Sequence, residues 1–120
     1  IGVLGSMGAF GPLGGRDRWK RPKMGEIAAK YCREIILTNE DPVDENPAQI
    51  LEEIEAGIGD KHKVKKILDR RQAIKVAFDL AREGDAVVIT GKGSEPYIRV
   101  ARGKRISWSD AGVVKALLGK

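Results

Sequence analysis

From residue 22 onward, short β-branched runs alternate with segments of helical period, and this alternation restricts the fold more than any other feature. Met24, Ile27, Ala28 and Tyr31 recur at i, i+3, i+4, i+7, as do Ile74, Ala77, Phe78 and Ala81, and Ile50, Leu51, Ile54 and Ile58 mark another stripe. Each predicts a helix with one buried face. Between them lie Glu34 to Thr38, Val64 to Leu68 and Asp85 to Thr90, apolar runs of the kind that fill parallel strands covered on both faces. Tyr97 to Val100 and Arg105 to Trp108 read as two further strands around an Arg102-Gly103-Lys104 turn, and Asp110 to Leu118 as a last helix. Asn46 can cap the second helix, with Pro47 at its first position and Gln49 placed for a capping box. The expectation is an α/β fold: a Rossmann-like, mainly parallel sheet with flanking helices and an antiparallel hairpin near the C-terminus.

At 120 residues and 42% hydrophobic content, one domain can bury a core without cross-links, and a second full domain does not fit. The single cysteine, Cys32, forms no internal disulfide and suits a reducing cytoplasm, and with His62 as the lone histidine a Cys/His zinc cluster is not expected. No run approaches the ~20 apolar residues of a membrane span, and no signal-peptide core is present. Ile1 stands where an initiator methionine would, and the expectation is a piece of a longer protein. The net charge of +5 is compatible with nucleic acid, a membrane surface or an anionic small substrate and does not choose among them.

In open parallel sheets ligands gather beyond the carboxyl ends of strands, which directs attention to the loops after Leu4, Thr38 and Thr90. The first ends in GGRDRWKRPKMG, Gly14 to Gly25, whose Arg16, Arg18, Lys20, Arg21 and Lys23 precede a helix and could hold phosphates or carboxylates, or be a solvated charge run. Trp19 within it keeps a single-stranded nucleic-acid reading open. The second, Thr38 to Pro47, concentrates Glu40, Asp41, Asp44 and Glu45, which can receive an ammonium or a divalent cation, or merely form a turn before a helix cap. The third, Gly91 to Tyr97, offers close backbone approach, a cation in Lys92 and an acceptor in Glu95. It is not a phosphate-binding Walker motif, because Ala86 stands where that motif has its first glycine.

Taken in order, these segments resemble the family marks of Mur ligases of the UDP-N-acetylmuramyl-tripeptide synthetase (MurE) type. The family's GDRDxxKRPxMG, DNPR or DNPA, dR-x-x-AI and GKGHE stand here as GGRDRWKRPKMG, EDPV, DRRQAI (Asp69 to Ile74) and GKGSE. The resemblance covers nearly the whole chain and implies the carboxy-terminal domain, truncated at its N-terminal side, with the central ATP-binding and N-terminal domains absent. It implies an ATP-dependent acid–amino-acid ligase of peptidoglycan synthesis, in which ATP phosphorylates the glutamate carboxylate of UDP-N-acetylmuramyl-alanyl-glutamate and an incoming amine displaces the phosphate. ATP and Mg would be bound mainly outside this chain, by other domains of the same polypeptide, and no activity is expected of the chain alone.

Carried over by residue, the resemblance assigns Arg16 to a carboxylate of the incoming amino acid, Glu40, Asp41, Pro42 and Val43 to the specificity loop, and Gly91 and Glu95 to contacts with the same amino acid. Lys20 and Arg21 match the basic pair that the family places before a proline, implying proximity to phosphates. Ser94 replaces the usual histidine, and Val43 stands where enzymes that add meso-diaminopimelate have an arginine for its distal carboxylate. A valine cannot pair with that charge, so lysine or another dibasic amino acid is the expected substrate. The competing readings are a basic α/β module that binds nucleic acid through Arg16 to Lys23, and another Mur ligase or a folylpolyglutamate synthetase relative.

Overall fold

The computed structural model describes residues 1–6, 19–92 and 94–119. Among them, β1 (Gly2–Leu4), β2 (Ile35–Leu37), β3 (Val64–Lys66) and β4 (Val88–Ile89) form a parallel sheet in the order β3-β2-β1-β4. Helices α1 (Lys20–Tyr31), α2 (Pro47–Glu55) and α3 (Arg70–Leu80) connect these strands. An antiparallel hairpin, β5 (Tyr97–Arg99) and β6 (Arg105–Ser107), and a last helix, α4 (Asp110–Leu117), follow.

The period of two along the central strands divides the core. Leu4, Ile35 and Leu37 point to one face, where they bury Ile50, Leu51, Ile54 and Ile58. Val3 and Ile36 point to the other, against Ala73, Ile74, Ala77 and Val113. The result is a sheet between two helical layers, α1 and α2 on one side, α3 and α4 on the other. The flanking strands depart from the expectation of cover on both faces. Lys65 and Lys66 are exposed along β3, and Val88 is 55% exposed on β4. Both are sheet edges, and β-branched content alone does not separate an edge from a centre.

Asn46 Oδ1 accepts from the N–H groups of Ala48 and Gln49 and starts α2, while Asp69 accepts from Gln72 N–H and starts α3. Gln49 makes no reciprocal bond to Asn46, so the capping box is half formed. Helix α1 corrects the expected stripe in part: Met24 and Ala28 pack against the core, but Ile27 is 51% and Tyr31 75% exposed, and the fully buried positions are Arg21 and Gly25. The physical reason is close helix contact. A Cβ on Gly25 would lie 2.0 Å from the Ile54 carbonyl oxygen, and one on Gly57 1.7 Å from that of Pro22, so the two backbones meet where only glycine fits. Gly25→Ala is expected to destabilise the domain by about 1–3 kcal/mol, since a backbone atom cannot swing aside. Urea denaturation of this chain checks it, and an unchanged midpoint would be the contrary result.

Candidate functional site

Because β1, β2 and β4 run parallel, the segments after Leu4, Thr38 and Thr90 emerge along one edge of the sheet. Thr38 N–H donates to the Leu4 carbonyl and Thr90 N–H to that of Val3, so the loop entrances are stitched side by side. Gly5 and Gly91 let their neighbours approach. A Cβ on Gly5 would meet the Thr38 carbonyl oxygen at 2.4 Å, and one on Gly91, at φ +102, would meet Glu40 Oε2 at 2.9 Å. Gly91 therefore lies against the Glu40 carboxylate, and its lack of a side chain permits the approach.

The two acids of the second loop have different environments. Asp41 is 2% exposed, and its Oδ1 accepts from Lys92 Nζ at 2.8 Å and from Arg99 N–H at 2.8 Å. Arg99 Nη1 adds an ion pair at 3.5 Å. Lys92, 1% exposed, also reaches Glu95 Oε2 at 3.5 Å, so its charge is committed to these two carboxylates. Glu40 is half-buried and, among the described residues, takes part in no hydrogen bond or ion pair. Burial pushes its carboxyl above the ordinary range, repulsion from Asp41 adds to that, and the charges of Arg70 and Lys92 act the other way. An unpaired, half-buried carboxylate at a sheet's carboxyl edge is suited to accept an amine.

Arg70 holds the floor of this edge. It is 2% exposed, its Nε and Nη2 form a fork to the Asp110 carboxylate at 2.9 Å each, Nη1 donates to the Asn39 carbonyl at 2.8 Å, and Nη2 donates to that of Thr90 at 2.9 Å. One side chain thus ties the residue before Glu40, the residue before Gly91 and the start of α4. Burial acts to raise the Asp110 pKa, but hydrogen bonds from Arg70 and Trp108 outweigh it and hold the carboxyl below its usual value. The DRRQAI segment contains Arg70, and nothing in the residue pattern indicated its partners.

Arg16 lies outside the described residues. Arg21 is fully buried and forms a fork to Glu45 at 2.9 and 3.1 Å, with Glu53 at 3.5 Å, so its charge is matched inside the α1–α2 interface. Lys20 is exposed, with its ammonium 5.5 Å from the Trp19 ring. Pro42 and Val43 are buried, and Val43 has φ +53, an uncommon conformation for a β-branched residue. Among the described residues, no group of three His, Cys, Asp or Glu side chains is placed to hold a metal ion, and no helix is long and apolar enough to cross a membrane.

A parallel sheet between helical layers, with loops converging at its carboxyl edge around paired and unpaired carboxylates, defines an α/β domain with a candidate site at that edge. The chain belongs to the Mur ligase family: the family model described as "Mur ligase, glutamate ligase domain" matches residues 1–93. Among relatives, UDP-N-acetylmuramoyl-L-alanyl-D-glutamate–2,6-diaminopimelate ligase of Aquifex aeolicus is 53% identical over 110 residues, covering 92% of this chain and 23% of the relative. The enzyme of that name from Cytophaga hutchinsonii is 42% identical, over 88% of this chain and 22% of its own length. A solved structure of a ligase with this name superposes with a TM-score of 0.84 at 38% identity, over 98% of this chain and 23% of that one. The chain is similar to these ligases along most of its length, as the four motifs implied, and spans less than a quarter of the length of the curated relatives it matches.

Proposed function

We propose that this chain is the carboxy-terminal domain of an ATP-dependent ligase of peptidoglycan synthesis, and that it receives the incoming diamino acid and closes over ATP. The observation that carries the reading is the Glu40 carboxylate, unpaired and held against Gly91 where the specificity loop and the GKGSE loop meet. Glu40 and Glu95 would accept an ammonium group of the amino acid, with Arg16 on its α-carboxylate. ATP and Mg would be handled mainly by the remainder of the enzyme, which acts in the cytoplasm on UDP-N-acetylmuramyl-alanyl-glutamate. A carboxylate is a poor electrophile, and its phosphorylation supplies a leaving group. Closure of this domain would orient the attacking amine and exclude water from the acyl phosphate.

The family relationship and the names of the relatives support this reading, and 2,6-diaminopimelate is the amino acid those names print. The experiment supplies the full-length enzyme carrying this domain with the UDP-linked dipeptide, ATP, magnesium and one amino acid at a time, and follows phosphate release and product mass. Turnover that depends on a diamino acid is expected. Failure with every diamino acid tested would overturn the reading.

A further inference from the structure

Val43 leaves the specificity loop without the cation that a distal carboxylate needs, yet the space beside it is basic. A cleft of about 230 Å³ is lined by Val43, Arg99, Val100, Gly103, Lys104 and Arg105. The β5–β6 hairpin brings these side chains to the loop through three hydrogen bonds. Arg99 N–H donates to Asp41 Oδ1 at 2.8 Å, Val43 N–H to the Arg99 carbonyl at 3.2 Å, and Arg102 N–H to Asp44 Oδ1 at 3.1 Å. Val43 is held at positive φ by this attachment, a strained state that persists only when its surroundings enforce it.

Across the hairpin, Arg99 is in register with Arg105. Like charges directly opposite on antiparallel strands destabilise a sheet. The two guanidinium groups lie 5.2 and 4.4 Å from the centre of the Tyr97 ring. Among the described residues, Arg105 has no acidic partner. Two facing arginines beside a cleft, one of them unpaired, form a site for an anion.

We propose that Arg99 and Arg105 receive the distal carboxylate of the incoming amino acid, supplying from the hairpin the cation that position 43 lacks, so that the enzyme selects 2,6-diaminopimelate over lysine. This rests on the ligase reading. The far end of diaminopimelate carries an ammonium and a carboxylate side by side, and acids and bases adjoin here in the same order: Asp41 contacts Arg99, and Lys92 links Asp41 to Glu95. Lysine has no second carboxylate to meet the arginines.

The test uses the full-length enzyme and compares kcat/KM for diaminopimelate and L-lysine in the parent, Arg105→Gln and Arg105→Lys. The parent should favour diaminopimelate, the glutamine variant should lower the preference at least about tenfold, and the lysine variant should restore much of it. The thermal midpoint of Arg105→Gln should stay near the parent's, because relief of repulsion from Arg99 offsets loss of the contact with the Tyr97 ring. A parent that prefers lysine, an unchanged ratio, a rise confined to the KM for ATP, or a proportional loss with both amino acids and a lowered midpoint would each overturn the proposal. If the parent turns over neither amino acid, the ligase reading fails and this one falls with it.

Discussion

Replacing Arg70 with methionine is expected to destabilise this domain by about 3–5 kcal/mol, the usual consequence of removing one partner from a buried pair. Asp110 would keep its burial and lose the fork that compensates it, and the carbonyls of Asn39 and Thr90 would lose their donors. The sign of the pH dependence follows. In the parent, the Asp110 pKa is lowered, so its contribution to stability is present above the unfolded value of 3.8 and is lost as pH falls through the folded value. Without Arg70 the same pKa moves up from the parent's lowered value, since the Trp108 hydrogen bond and the Lys92 charge are left to oppose burial, so the variant has less stability to lose on protonation. Its deficit in urea denaturation should therefore narrow as pH is lowered from neutral. The double variant Arg70→Met/Asp110→Leu should recover part of the loss, because an apolar pair leaves no uncompensated charge. A midpoint for Arg70→Met equal to the parent's would show that the network contributes little.

What was legible in the sequence depended on distance along the chain. The apolar run Ile35–Leu37 and the stripe Ile50, Leu51, Ile54, Ile58 are local patterns: the run became a strand covered on both faces, and the stripe lies in the core as it implied. The stripe Met24, Ile27, Ala28, Tyr31 did so only in part: Met24 and Ala28 pack against the core while Ile27 and Tyr31 face outward, with Gly25 drawn against the Ile54 carbonyl. A glycine contributes nothing to an apolar period, so the pattern carries no trace of this contact. Likewise Glu40 and Asp41 are adjacent and chemically alike, yet one is unpaired and the other is bound by Lys92 and Arg99, residues 51 and 58 positions away. Their separation into two roles comes from the sheet order, which brings Thr38 and Thr90 to one edge. The partners of Arg70 and the basic cleft beside Val43 were hidden for the same reason. Motif order could bring these residues into view, but only the fold shows which side chains have charges left to offer.

Glu40→Gln should divide stability from function. The Glu40 pKa is raised above 4.5 by burial and by repulsion from Asp41, so the folded state favours the neutral carboxyl. A raised carboxyl pKa contributes stability that is fully present below the unfolded value and is lost as pH rises through the folded one. Ionisation of this carboxyl therefore works against its surroundings, and the glutamine variant, neutral at every pH, should melt at a higher temperature than the parent once pH exceeds the folded value. The difference should vanish on acidification, when Glu40 is itself protonated. Under the proposed function the same variant loses the charge that meets an ammonium group. A charge-assisted hydrogen bond contributes about 1.5–3 kcal/mol, so kcat/KM for the diamino acid in the full-length enzyme should fall about tenfold to a hundredfold, while Glu40→Asp should retain more activity than Glu40→Gln. The two readouts fail separately. A variant that melts lower at neutral pH would show that Glu40 is stabilised by its surroundings rather than strained by them. One that melts higher yet ligates as well as the parent would remove Glu40 from the site and leave the ammonium to Glu95.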